Sequence, residues 1–569
     1  MSFVEGRLAP NSIYAVLHRE CRKLFPDEMF ADLFAEDGRR SVPPMIVAVV
    51  MVLQRLEGLS DREAVDRFAF DVRWKYAAGG LDFDHPGFVH TVLVDMRARL
   101  AASGRPDRIF ERTVEVAARA GLIGRKRVLD SAPIYDAVAT QDTITLIRSA
   151  IRGLLRAADR ELREWLRAGI SSGDAYTDTG KPVIDWADAA EREALIDSRA
   201  RDGYALLALL EGRRLAAEVE QAGRLLATVL GQDLDQGEDG VLRIARKVAK
   251  DRVISTVDPE ARHGRKTVSR SFDGYKGHIA EDPDSEIITA TKVTPGNIGD
   301  AEPAAELLAD VFAPEQAEQA EQAEQAEQAE QAEQAEQAEV YGDAAYGTGP
   351  MLACLSEAGV EAMVKVQPRG GLGGRFSKDC FTVDLEAEQV RCPNQQTARI
   401  RWHRDGSGVA AFGAVCAACP LRERCTTAKN GRDINLSPYE EHLARGRANS
   451  ADPDWLARYR ATRPKVERKI AHMMRRRHGG RRARVRAHQR STPTSRSWPP
   501  PLTSPAWPCS ASSRPPADRG RQQRPDQGLP RGGRGLGDEV TAFSGRVDNR
   551  TDPHSRQDPA TSMECDAPA

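Results

Sequence analysis

With 569 residues the chain is long enough for several domains, roughly two to four, each with its own core. No stretch approaches the roughly 20 apolar residues that cross a bilayer, and MSFVEGRLAPNSIYAVLHRE lacks the basic flank and apolar run of a signal peptide, so a cytoplasmic protein without a membrane partner is expected. The net charge of −2 hides a segregation: nine glutamates sit between Glu315 and Glu339, and without them the sum is +7, concentrated after Arg460, which points to nucleic acid.

In chain order, residues 10 to 125 read as helices. PPMIVAVVMVLQRLEG opens on prolines suited to a first turn and stops at Gly58, and SDREAVDRFAFD has Ser60 and Glu63 at capping-box spacing. The pair is either a helix-turn-helix or a plain helical hairpin. RVLDSAPI, Arg127 to Ile134, has the apolar run of a buried strand, and a charged, Leu/Ala-rich helical stretch follows from Thr143 to about Leu234. GYKGHIAED and SEIITATKVTPGN alternate as two strands joined by a turn around Asp282 to Ser285. The helix AEPAAELLADVF leads into eight consecutive EQA triplets, whose period builds no helical face and reads as a solvated insertion. VYGDAAYGTG then gives a short strand ending in a turn, with a helix from Gly349 to Ala358.

Far downstream, VERKIAHMMRR reads as a helix in a basic run: Arg460 to Arg490 holds thirteen Lys or Arg residues and one acid, Glu467. Beyond about Ala487 the chain is rich in Pro, Ser, Arg and Gly without an apolar period. Written in GC-rich codons and shifted by one base, STPTSRSWPPPLTSPAWPCSA permits an amphipathic helix, so this tail reads as a frameshifted remnant of a closing helix.

Three acids occupy suggestive places: Asp130 within a strand, Asp343 at the end of another, and Glu467 on a helix. Carboxylates that converge at one sheet edge form an oxygen cage suited to Mg²⁺, and two such ions serve phosphodiester chemistry. Each acid also has a plainer role. Asp130 could cap the strand end, leaving Asp136 or Asp142 as ligand; Asp343 could be a turn residue; Glu467 could pair with a neighbouring Arg for about 0–1 kcal/mol. Cys392, then Cys416-x2-Cys419-x5-Cys425, form a second constellation with Cys380 as a spare. That pattern resembles a small structural zinc site between Asp343 and Glu467; the alternative is four reduced thiols. Nine cysteines, an odd number in a chain with no export signal, argue against disulfides.

The helical segment from Leu24, then RVLDSAPI, the stretch from STVDPEARHGRK to NIGDAEPA, EVYGDAAYGTG and YRATRPKVERKIAHMMRRRHGGRRARVR together resemble, in order, a bacterial insertion-sequence transposase of the DDE superfamily. The resemblance implies an α/β fold: an RNase H-like mixed β-sheet flanked by helices, with an all-α N-terminal domain, a helical insertion and a small zinc-ribbon-like insert. The expected division is a helical DNA-binding domain at 1–125, core at 126–145 and 250–313, and a helical insertion at 146–249. The EQA repeat follows at 314–339, further core at 340–375, the cysteine insert at 376–430, the core's closing helix and basic patch at 431–486, and the tail at 487–569.

The same resemblance makes Asp130, Asp343 and Glu467 the catalytic ligands of two Mg²⁺ or Mn²⁺ ions. It sets Tyr459 and Arg463 in a signature around the Glu, whose expected basic member falls at Met474, with Arg475 next door. Arg475, Arg476, Arg477, Arg481 and Arg482 are expected on the DNA backbone, as are Lys276 and His278 unless these two are ordinary exposed strand polars. The implied function is metal-dependent cleavage at the element's ends and joining to target DNA. The chain would bind terminal inverted repeats as a homodimer, in the bacterial cytoplasm at the nucleoid. The rivals are an inactive DNA-binding remnant and a metal-dependent nuclease that does not join.

Overall fold

The computed structural model describes residues 4, 6–34, 42–136, 140–267, 269–312, 337–367, 372–475 and 480–482. The EQA tract up to residue 336, the tail from 487, and Arg476 and Arg477 lie outside the described residues. Two compact units separate: one takes the described residues up to 367, 401–409 and 435–482, the other 372–400 and 410–434.

The first unit opens with helices Ile13–Leu24, Pro44–Glu57, Asp61–Phe70, Val72–Ala77, Thr91–Ala102 and Arg108–Arg119. Gly58 takes φ 69° and ψ 33°, the left-handed conformation that ends a helix at low cost for glycine. Ser60 and Glu63 close the capping box: Ser60 N donates to Glu63 Oε2 at 2.7 Å and Glu63 N to Ser60 Oγ at 3.3 Å. Such a cap contributes about 1 kcal/mol. The two helices bury Val49, Val50, Leu53 and Phe68 in a core shared with Trp74, whose Nε1 donates to Glu57. The exposed charged positions of Asp61–Phe70 are Arg62, Glu63, Asp66 and Arg67, so that face carries both signs equally.

The central sheet begins with β1 (Lys126–Tyr135). The expected helical stretch follows as Thr143–Ala157, Arg160–Ala168, Ala189–Leu210 and Ala217–Asp233, with a core of its own around Ile147, Leu154, Leu206 and Leu230. A small hairpin, β2 (Leu234–Gln236) and β3 (Leu242–Ile244), closes it. The chain returns to the central sheet with β4 (Arg262–Thr267), β5 (Arg270–Asp282), β6 (Ile287–Pro295), β7 (Glu339–Gly342) and β8 (Glu361–Val364). The lateral order is β6-β5-β1-β7-β8, and β4 also pairs with β5. β5 runs antiparallel to β1, β4 and β6, whereas β7 runs parallel to β1 and β8 parallel to β7. AEPAAELLADVF, expected as one helix, forms two short ones, Ala304–Leu307 and Ala309–Phe312, with Leu308 between them at φ −108° and ψ 14°.

Because side chains alternate across a strand, β1 serves two layers. Val128, Ala132 and Ile134 join Ile279 and pack with Trp455, Tyr459, Val466 and Ile470 from helices Pro453–Thr462 and Pro464–Met473. Leu129 joins Ala280 and Val340 against Leu307, Leu352 and Leu355 on the other face.

The second unit holds most of a five-stranded sheet of order β13-β12-β11-β10-β9, formed by β9 (Thr382–Asp384), β10 (Gln389–Arg391), β11 (Thr397–Trp402), β12 (Gly408–Ala411) and β13 (Asp433–Leu436). Its buried side chains include Val390, Ile400, Phe381 and Phe412, the two rings 5.9 Å apart. Among the described residues no helix is long and apolar enough to cross a membrane.

Candidate active site

Asp130 lies mid-strand in β1 on the face shared with Val128 and Ala132, and its side chain is 14% exposed. Its Oδ1 accepts the Ser131 N–H at 2.8 Å. Asp343 follows β7 directly and starts the turn to Tyr346, with its Oδ1 accepting the Ala345 N–H at 2.9 Å. Glu467 stands in the first turn of helix Pro464–Met473. Pro464, which brings no N–H, separates that helix from Pro453–Thr462 and leaves Arg463 at the junction.

The three acids meet at Arg463. Its Nη2 is 3.1 Å from Asp130 Oδ1 and 4.0 Å from Asp343 Oδ2, and its Nη1 is 3.6 Å from Glu467 Oε1. Burial pushes the Asp130 carboxyl above its ordinary range, and the Arg463 cation works against that rise. Burial disfavours the guanidinium, yet Asp130 beside it leaves Arg463 held above its ordinary value. Tyr346, fully buried, has a hydroxyl with no hydrogen-bond partner among the described residues; burial first, then Asp300, Asp130 and Asp343, push its pKa well up, so it keeps its proton.

Ion pairs hold the two helices on the sheet. Arg458 spans the starts of β7 and β8, 3.0 Å from Glu339 and 2.8 Å from Glu361. Lys465 reaches Asp284 at 3.4 Å, and Arg468 and Lys469 reach Glu286 at 3.1 and 3.7 Å. The basic residues flanking Glu467 are therefore engaged with the β5–β6 turn, where each pair contributes about 0–1 kcal/mol.

Several expected site residues need correction. Asp130 is opposite Ile279, so Lys276 and His278 fall on the other face of the sheet. His278 is fully buried there, within 2.9 Å of Thr294 Oγ1, and burial lowers its pKa to about 4. Lys276 donates to Ile298 O and Asp300 Oδ1, both at 2.8 Å. Neither is a surface group awaiting DNA. Tyr459 is also interior: it stacks on Trp455 at 5.2 Å, and Lys365 Nζ stands 4.7 Å from its ring centroid. Met474 is buried, whereas Arg475, Arg481 and Arg482 are exposed. The Arg481 carbonyl accepts the Tyr135 N–H at 2.9 Å, so the chain after the helix returns to the end of β1. Asp142 caps helix Thr143–Ala157 and pairs with Lys181, while Asp136 follows β1 and donates its N–H to Asp273 O. Sequence reasoning passed over Tyr346 and also Lys266, whose Nζ donates to Ser131 O at 3.3 Å. The only outward sign of either was a polar residue within a motif already quoted.

In the second unit, Cys392, Cys416, Cys419 and Cys425 line one cavity of about 20 Å³ beside Phe376 and Phe381; Cys380 does not line it. That volume admits about one water-sized sphere. Arg432 N donates to Cys416 Sγ at 3.5 Å. Burial pushes the Cys425 thiol up, and the other three cysteines add to the rise. Among the described residues no three His, Cys, Asp or Glu side chains are arranged, as they stand, to hold a metal ion.

A family model described as Transposase domain (DUF772) matches residues 6–99, and one described as Transposase DDE domain matches residues 391–493. The second range contains the four cysteines, Tyr459, Arg463 and Glu467; Asp130 and Asp343 lie outside both. No curated protein and no solved structure matches the chain. With a transposase domain matched toward each end, in the order the motifs led one to expect, the two matches support an insertion-sequence DDE transposase.

Proposed function

We propose that this transposase cuts the ends of its own element and joins them to target DNA, with Asp130, Asp343 and Glu467 at the reacting phosphate. One observation carries the reading: acids from β1, from the turn after β7 and from a late helix converge on a single cation, Arg463. An all-oxygen anionic set that gathers around a guanidinium has the donor chemistry of a site for hard divalent cations. In kind, the residues fit two Mg²⁺ or Mn²⁺ ions, for which Arg463 would yield its central place. Such ions, when bound, activate an attacking oxygen and stabilise the leaving one.

The chain's own contribution is positioning. Asp130 is fixed by the Ser131 N–H and its burial, while Asp343 and Glu467 remain open to solvent, where a DNA strand must approach. Arg463 holds the carboxylates together until the ions and the strand arrive. The strand order supports an RNase H-like core: β1 has an antiparallel pair on one side and a parallel pair on the other. Exposure makes Arg475, Arg481 and Arg482 the candidates for DNA-backbone contact. Cys392, Cys416, Cys419 and Cys425, which line one cavity of the second unit, would be the ligands of a structural zinc. Binding of terminal inverted repeats by a homodimer completes the proposal.

The test is cleavage, in Mg²⁺ or Mn²⁺, of DNA carrying the element's ends by the chain and by Asp130→Ala and Glu467→Ala. The expected result is 3′-OH ends and a joined target product, both lost in each variant. Cutting that survives both substitutions would remove the carboxylate assignment. Cutting without a joined product would narrow the function to a nuclease.

A further inference from the structure

We propose that the β4–β5 hairpin is a DNA-gripping arm whose Lys266 holds a phosphate beside the one at which the carboxylates act. This deepens the reading of Asp130, Asp343 and Glu467 as the reacting site and rests on it.

Two glycines shape the arm. Gly274 in β5 has φ +136°, and a Cβ there would lie 2.3 Å from Ile134 O and 2.7 Å from Asp136 N. Only glycine tolerates both the dihedral and the approach. Gly264 in β4 is as tightly placed, with a Cβ position 2.4 Å from Gly296 O and from the Phe272 ring. The hairpin therefore packs closely at its base, where Phe272 also meets Tyr135 with ring centroids 6.1 Å apart. Lys266 thereby comes to Ser131, the neighbour of Asp130, across 135 residues of sequence.

Charge then indicates what the arm grips. At its base the basic side chains are neutralised: Arg262 pairs with Asp251 and His263 with Asp273, both at 2.7 Å. Toward its tip Arg265, Lys266 and Arg270 are exposed and form no ion pair among the described residues. Asp130 does not need Lys266 as its counter-ion, because Arg463 already stands 3.1 Å away. Among the described residues the Lys266 ammonium makes one hydrogen bond, at 3.3 Å to a neutral carbonyl, which leaves a flexible cation to be drawn to a stronger partner. Beside the proposed carboxylate site, the polyanion that several exposed cations would meet is duplex DNA, with one charge every ~1.7 Å of its axis.

The experiment measures binding of the full chain to a duplex carrying the element's end sequence over a salt series without divalent ions. Cleavage in Mg²⁺ is run in parallel. Lys266→Ala should lower the slope of log K against log salt by about one and weaken binding roughly tenfold, with Lys266→Arg restoring both. In cleavage, KM should rise more than kcat falls. A single neutral methylphosphonate, walked along the strand, should find one position that weakens the natural chain and leaves Lys266→Ala unaffected. An unchanged slope in Lys266→Ala, while Asp130→Ala abolishes cleavage, overturns the arm and spares the carboxylate site. A lowered slope, with cleavage indifferent to Asp130→Ala, keeps the DNA grip and overturns the reading of the site. A lower thermal midpoint with no change in slope would mark Lys266 as structural and also overturn the proposal.

Discussion

Arg463 and Asp130 are 333 residues apart in the chain and 3.1 Å apart in the fold. Their side chains are 7% and 14% exposed, whereas Asp343 and Glu467, at 47% and 62%, lie where water screens them. The buried pair therefore dominates the stability of the cluster, and the two exposed acids supply charge that a substrate or cation can reach.

Removing the cation should cost more than removing either exposed acid, Asp343 or Glu467. Arg463→Ala leaves Asp130 buried without its partner, a loss of roughly 3–5 kcal/mol. Glu467→Gln should cost less than about 1 kcal/mol, because the pair it breaks is exposed. Thermal unfolding checks the order, and a cleavage assay checks that the mild Glu467→Gln substitution still abolishes activity. Equal losses of stability in the two variants would contradict the geometry around Arg463.

Lys276 provides a second test, because it is held by Asp300 and not offered to solvent. Lys276→Ala should destabilise the chain by roughly 1.5–3 kcal/mol, the range for a hydrogen bond to a charged partner. It should leave the salt dependence of DNA binding unchanged. A reduced salt slope would show that Lys276 leaves Asp300 to meet a phosphate.

This residue also shows where the sequence stops being legible. Alternation in GYKGH states that Lys276 and His278 share a face, but not which one. The register Asp130↔Ile279 decides it, and register is a tertiary property. The acids were easier to find because each sits at a local landmark: a strand interior, a strand end before a turn, and a first helical turn. Their common centre, Arg463, was visible only as one Arg among thirteen basic residues, and the i,i+4 spacing of Trp455 and Tyr459 allows their stacking but does not say that the pair faces the interior. Gly274 was plain in the sequence, but nothing nearby revealed that the arm it bends would reach Ser131.

The cysteine cavity yields a prediction about metal content. If Cys392, Cys416, Cys419 and Cys425 ligate zinc, the purified chain should carry about one zinc, read by elemental analysis. Cys416→Ser should lower that content, and a chelator should depress the thermal midpoint of the natural chain more than that of the variant. Four thiols that titrate freely in a metal-free, equally stable protein would leave them as ordinary buried cysteines.

Glu281 should make the chain less stable as pH rises from about 4.5 to 7. It is fully buried, neither carboxylate oxygen has a hydrogen-bond partner among the described residues, and burial, opposed by Lys469, raises its pKa from 4.5 to about 7. The folded chain thus holds this proton more tightly than the unfolded chain does. Its contribution is full below about pH 4.5 and is lost as pH rises through about 7, by at most roughly 3 kcal/mol. His278 acts with the opposite sign over nearly the same range: burial lowers it from 6.5 to about 4, so the stability of its neutral form is present above about pH 6.5 and is lost as pH falls toward 4. Glu281→Gln keeps the shape and cannot ionise. Its thermal midpoint should match the natural chain near pH 4 and exceed it from just above pH 7, with the His278 dependence unchanged. Parallel curves across that range would mean that Glu281 finds a partner or water when it ionises.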